Sequence, residues 1–235
     1  MEALSQLIEV DGALGYFWIS QRDLPTLYEM LYEQSREVYN GTMAEVEPGD
    51  VVLDCGANVG VYTRAALKQG ASLVVAIDPG PQAIECLRRN LAREITVGRV
   101  IIYGKGVWNE EAKLELSQDP DLASTANSVA IDRGGGGPVV ELTTIDKLVA
   151  ELDLERVDFI KMDIEGAEPQ ALIGAGKTVT KFNPKMAIAL EHRPSDPDSI
   201  PALVDDLYPG YRLELSDCED INGSVQPEVL FLHSQ

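Results

Sequence analysis

Residues 51–60 read VVLDCGANVG, and this decapeptide restricts the fold more than any other part of the chain. Val51, Val52 and Leu53 form an apolar run that ends on an acid, Asp54. A glycine turn follows, Gly56-Ala57-Asn58-Val59-Gly60, and Val61, Tyr62 and Thr63 then open a helix. A buried strand, a tight turn and a helix start, in that order, make half of a nucleotide-type site at the carboxyl end of a parallel strand. The expected class is therefore α/β.

The rest of the chain repeats the alternation. Helix is expected over 61–69 with Gly70 as its stop, strand over 73–77, helix over 81–91 and strand over 100–103. Residues 104–143 change to short polar–apolar alternation around Gly134 to Gly137, and read as an antiparallel insertion. Helix 146–152, strand 157–162, a helix from Glu165 to about Gly176, strand 186–190 and helix 198–208 follow. A terminal hairpin of 211–215 with 229–232 closes the chain. Such a pattern implies a mostly parallel sheet with helices on both faces. Residues 1–45 read as a helical N-terminal extension, either packed on the sheet edge or serving as a cap or dimer contact. Residues 46–235 read as the main part of a single domain.

Ligands of parallel sheets sit outside the carboxyl ends of the strands. The residues expected there are Asp54, Asp78, the segment Gly104 to Val107 with Gly106 and Val107, then Asp163 with Glu165, and Glu191 with His192. A dinucleotide site uses G-x-G-x-x-G so that backbone and helix N-terminus hold a pyrophosphate. Here Asp54 stands at the first glycine. A carboxylate repels a pyrophosphate and suits a ligand with an ammonium group and no phosphate, such as S-adenosylmethionine. Asp54 is expected to face that ammonium, and Gly56 and Gly60 to let the ligand approach the backbone. Asp78, eighteen residues beyond Gly60, is expected to accept the ribose hydroxyls.

Lys161-x-Asp163-x-Glu165 places three charges on one side if the strand continues. Asp163 is expected to touch the cofactor or the acceptor, and Glu165 to act as base or orienter. His192, one of two histidines, suits general-base work because imidazole titrates near neutrality. Asp163, Glu165, Glu191 and His192 also form a possible O/N donor set for a divalent cation.

Charge and cysteine content exclude other classes. Nineteen basic residues against 39 acidic give a net charge of −20, which argues against general affinity for nucleic acid or an anionic membrane. No apolar stretch approaches the ~18 residues of a membrane span, and no secretory leader is visible. Three widely spaced cysteines favour neither a disulfide framework nor a zinc site and fit a cytoplasmic setting.

Four segments together resemble the FkbM family of S-adenosylmethionine-dependent methyltransferases: VEPGDVVLDCGANVGVYT (46–63), AIDPGPQAIECLRRNL (76–91), VELTTIDKLV (140–149) and VDFIKMDIEGAEPQALIGA (157–175). The similarity spans roughly 46–192. Where the family usually has Glu before Pro at the end of the second strand, this chain has Asp78. The resemblance implies a class I methyltransferase fold, a Rossmann-like sheet of seven mostly parallel strands whose last strand is antiparallel. It implies methyl transfer to a hydroxyl of a small molecule, often a sugar or secondary metabolite. It puts Asp54, Gly56, Ala57, Asn58 and Gly60 around the methionine half of the cofactor and Asp78 on the ribose. Gly106 and Val107 fall on the cofactor side, and Lys161, Asp163, Glu165 and His192 flank the acceptor. A nicotinamide-dependent oxidoreductase and a non-catalytic cofactor-binding protein are the competing expectations.

Overall fold

The computed structural model describes residues 6–10, 14–118, 127–221 and 223–234. The described chain opens with an antiparallel hairpin, β1 (Gln6–Val10) against β2 (Gly15–Ile19), followed by α1 (Leu24–Ser35). The helix was expected and the hairpin was not. Its signal is Tyr16-Phe17-Trp18-Ile19, strand-forming residues just beyond an Asp-Gly pair. Phe17 and Ile19 are fully buried against Val59, Val61 and Leu27.

The alternating part then runs β3 (Val51–Cys55), α2 (Val61–Gln69), β4 (Leu73–Ile77), α3 (Pro81–Asn90), α4 (Ala92–Thr96) and β5 (Val100–Tyr103). Next come β6 (Gly106–Val107), β7 (Ala112–Glu115), β8 (Val139–Thr143), α5 (Ile145–Glu151), β9 (Phe159–Met162), α6 (Glu168–Ile173) and α7 (Gly176–Phe182). The chain ends with β10 (Lys185–Ala189), α8 (Asp196–Leu207), β11 (Tyr211–Leu215), β12 (Cys218–Ile221), β13 (Ser224–Pro227) and β14 (Val229–Ser234).

Seven strands form one sheet in the order β11-β14-β10-β9-β3-β4-β5. The last strand, β14, is antiparallel to both its neighbours, and the pairs from β10 to β5 are parallel. This is the architecture the resemblance implied. The chain runs outward from β3 through β4 to β5, then returns to β9 on the other side of β3. That reversal opens a crevice at the carboxyl ends of β3 and β9.

Strand pleating divides the core. Leu53, Cys55, Ile160 and Met162 point into one apolar layer with α5 to α8. Val52 and Phe159 point into the other, with α2 and α3. Because side chains alternate along a strand, Asp54 and Lys161 share the second face, and the register pairs them directly.

Three expectations change in detail. The insertion is a three-stranded sheet, in which β7 is antiparallel to β8 but β6 is parallel to it. The helix after β9 is split at Gly174, where a Cβ would fall 2.1 Å from the Trp108 carbonyl oxygen, and α7 follows as a separate helix. A second hairpin, β12–β13, lies between the two strands of the expected terminal pair.

Candidate active site

A cavity of about 470 Å³ opens at the carboxyl ends of β3, β4, β9 and β10. Its floor is the turn after β3. The N–H groups of Gly56 and Ala57 both donate to the Ile77 carbonyl, which straps the turn onto the end of β4. Gly56 has φ +84°, and a Cβ there would lie 1.8 Å from the Asp163 carbonyl oxygen. Only glycine fits that approach of the β3 and β9 ends.

Asp78 lies on the wall beside this turn. Its carboxylate accepts from Asn58 N at 3.0 Å and Gly80 N at 2.8 Å, one bond to each oxygen. Each oxygen retains acceptor capacity. Burial lifts its pKa to about 6, and the two backbone N–H groups act to lower it. Gly106 and Val107 complete this end of the cavity.

Two residues expected in the wall lie behind it. Asp54 is fully buried and does not line the cavity. It accepts from Thr63 Oγ1 at 2.6 Å, and its other oxygen stands 3.5 Å from Lys161 Nζ. The acid is consumed by the neighbouring strand's lysine on the same sheet face, which explains why it does not face the ligand space. Gly60 also lies outside the lining. It caps α2 with φ +90°, and a Cβ there would press on Leu87 and Leu91 at 3.2 and 3.1 Å.

At the opposite end the cavity is lined by charge. Lys161 Nζ donates to the Gly56 carbonyl and stands 3.4 Å from Asp163. Burial works against its charge, but Asp163, Asp54 and Glu33 outweigh it and raise its pKa. Strand β9 stops at Met162, so the expected alternation Lys161-Asp163-Glu165 does not extend as strand. Instead Glu165 turns through a left-handed backbone (φ 56°) and pairs with Arg133 at 2.8 Å. Asp163 also accepts from Tyr39 OH at 2.9 Å. Burial opposes ionisation of Asp163, yet Lys161, His192 and Tyr39 together hold its pKa low.

His192, whose side chain is 7% exposed, sits between acids. Its Nε2 lies 3.2 Å from Asp163 Oδ1 and 3.2 Å from Glu168 Oε1, too oblique to either for a well-formed hydrogen bond. Burial disfavours its charge, but Asp163 and Glu168 prevail and hold the imidazole well above its ordinary pKa. The acids around it favour the protonated ring over the neutral one.

Sequence reasoning missed Glu33 and Tyr39, which come from the N-terminal segment, Arg133, from the insertion, and Glu168. Thr26, Met30 and Glu33 of α1 form a roof over the charged end. Glu33 and Glu191 line the cavity with no hydrogen bond or ion pair to any described side chain. Burial first, then Asp163 and Glu191, lift Glu33 to about 8. Burial and Asp163 lift Glu191 to about 7, and burial lifts Glu165 to about 7.

Asp163, Glu165 and His192 each offer a ligand atom within 4.8 Å of the others. The donors do not fit a divalent cation as they stand. Lys161 already neutralises Asp163, Arg133 neutralises Glu165, and the ring would have to lose the proton that Asp163 and Glu168 stabilise.

Comparison with known proteins bears on the family and the fold. Residues 54–218 match the methyltransferase FkbM domain. The chain is 25% identical over 199 residues to the hexuronic acid methyltransferase AglP of Haloferax volcanii, covering 84% of this chain and 79% of that protein. It is 28% identical over 152 residues to the 2-O-methyltransferase NoeI of Sinorhizobium fredii, covering 57% of this chain and 61% of that one. The crystal structure of an FkbM methyltransferase from Methylobacillus flagellatus superimposes with a TM-score of 0.62 at 21% identity. It covers 92% of this chain, which spans 56% of that chain's length.

Proposed function

The chain belongs to the FkbM methyltransferase family, and on that premise we propose that it transfers a methyl group from S-adenosylmethionine to a hydroxyl oxygen of a small-molecule acceptor. The observation that carries this reading is one continuous cavity. One end is a glycine turn and a ribose-type acid, and the other is a set of carboxylates poised to take a proton. The relatives named for a hexuronic acid and for a 2-O position support oxygen as the acceptor atom. A nicotinamide-dependent oxidoreductase is not favoured.

The residues present suit the methyl donor. Gly56, Ala57 and Asn58 offer a side-chain-free floor, Asp78 keeps lone pairs for the ribose hydroxyls, and Gly106 and Val107 close that end. The cavity volume lies within the ordinary range for a ligand of this size. When bound, the donor supplies an already activated methyl on a sulfonium.

The chain's own residues then align the acceptor and remove its proton. We assign proton acceptance to Glu191. Glu191 makes no ion pair with a described residue and burial lifts it to about 7, whereas Asp163 and Glu168 favour the protonated form of His192 and Glu165 is held by Arg133. His192 and Lys161 position Asp163, and Asp54 acts at second hand by anchoring Lys161. The α1 segment acts as the roof of the acceptor end. Calorimetric titration is expected to show one-site binding of S-adenosylmethionine and none of NAD. Mass spectrometry is expected to show a 14-Da gain on a hydroxylated acceptor. Chelator treatment is expected to leave turnover unchanged. Absence of donor binding would remove the reading.

A further inference from the structure

The chain is strongly acidic, yet one surface groove has the opposite balance. It lies between the β1–β2 hairpin, α2, the end of α3 and α4, and has a volume of about 560 Å³. Arg64, Lys68, Arg89, Arg93 and Arg99 line it against a single acid, Glu94, among the described residues. More than a quarter of the chain's 19 basic residues therefore meet in one place.

Three of these cations have local duties that also fix them in position. Arg64 donates to the carbonyls of Leu14 and Tyr16 and lies 4.2 Å from the Phe17 ring centroid. Arg99 donates to the carbonyls of Leu67 and Ala71, closing the end of α2. Arg89 pairs with Glu85 and covers the Trp18 ring. Lys68 and Arg93 have no such duty. Both are exposed, and neither makes a hydrogen bond or ion pair with a described residue.

Cations near helix C-termini also offset the macrodipole, and that alone could account for some of them. The magnitudes decide otherwise. Two helix ends contribute roughly half a negative charge each. With Glu94 and Glu85 added, the groove keeps an excess of about two positive charges among the described side chains. Guanidinium forks match phosphate oxygens in pairs. A net charge of −20 repels anions elsewhere on the surface and opposes docking on an anionic bilayer, so a soluble ligand is favoured over a lipid headgroup.

We propose that this groove is a binding site for a soluble ligand carrying a diphosphate group. It shares no lining residue with the strand-end cavity. The test is calorimetric titration of the full chain with inorganic pyrophosphate at low ionic strength, alongside a Lys68→Glu/Arg93→Glu double variant. Wild type is expected to bind at one site, with affinity falling as salt rises. The variant is expected to bind at least tenfold more weakly while its thermal melt is unchanged. If charge reversal impairs folding, Lys68→Gln/Arg93→Gln replaces it, with a smaller loss of the same sign. No saturable heat at millimolar pyrophosphate, or equal affinity in either folded variant, overturns the proposal. So does binding to phosphatidylglycerol vesicles without binding to pyrophosphate.

Discussion

The two ends of the strand-end cavity are built by different means. At the end proposed for the donor, Gly56, Ala57, Asn58 and Asp78 come from one β-turn-α-β unit, and the contacts are largely backbone. At the acceptor end, Glu33 and Tyr39 come from the N-terminal segment, Arg133 from the insertion, Asp163 and Glu165 from the turn after β9, and Glu191 and His192 from the end of β10. A backbone-built end is fixed by turn geometry and tolerates little change. An end assembled from side chains of distant segments can be retuned one residue at a time. That difference suits a fixed donor and a variable acceptor.

The largest effect is expected where the two ends join. Lys161 bonds to the Gly56 carbonyl and neutralises Asp54 and Asp163, with its side chain only 4% exposed. Lys161→Met leaves the fully buried Asp54 without its cation and leaves Asp163 with His192 as its one ion-pair partner among the described residues. Removing one partner of a buried pair costs about 3–5 kcal/mol. Denaturant unfolding is expected to show a loss of that order. A loss below about 1 kcal/mol would mean that the two ends are energetically independent.

Next in size is the acceptor end itself. Glu191→Gln is expected to reduce turnover by on the order of 10²-fold, leave donor affinity intact and abolish the rise of rate with pH toward 7. If His192→Ala removes that rise and Glu191→Gln does not, the imidazole is the base and the protonation assigned to it is wrong. At the donor end, Asp78→Ala is expected to weaken binding of S-adenosylmethionine by about tenfold, consistent with charge-assisted hydrogen bonds of ~1.5–3 kcal/mol. Equal loss of acceptor affinity would erase the division between the ends.

The same division governs what the sequence reveals. Helix Val61–Gln69 and strands Leu73–Ile77, Val100–Tyr103 and Tyr211–Leu215 have the boundaries that periodicity and turn residues imply. The place of Asp78 on the cavity wall was legible because a local unit positions it. Asp54 was misplaced because a strand-end acid does not disclose which neighbour pairs with it. That neighbour, Lys161, stands 107 residues away in sequence, across a parallel register. Glu33 was unreadable for the same reason: on its own helix it is one polar residue among several, and it acquires meaning only when α1 folds over β9 and β10. The hairpin β1–β2 was legible in principle from its aromatic run, which was read as part of a helical extension.

The smallest effect is a slope in the melting temperature of the unliganded protein. Burial lifts Glu33 to about 8, Glu165 and Glu191 to about 7, and Asp78 to about 6. Unfolded carboxyls release their protons near pH 4. Between that value and each folded value, the native state therefore binds more protons than the unfolded chain, so stability falls as pH rises. Asp163 has the opposite sign, but its lowered pKa confines its effect to pH below about 4. His192 is held high, so any loss from its deprotonation adds to the decline. From pH 5 to 8 the melting temperature is expected to drop, read by scanning calorimetry. Three of these four carboxyls line the charged end, so Glu33→Gln is expected to flatten the slope most above pH 7, where Asp78 is already ionised. A slope that Glu33→Gln leaves untouched, or one that rises with pH, would show that the acceptor end holds no buried excess of negative charge, and the contrast between a backbone-built and a charge-built end would fail.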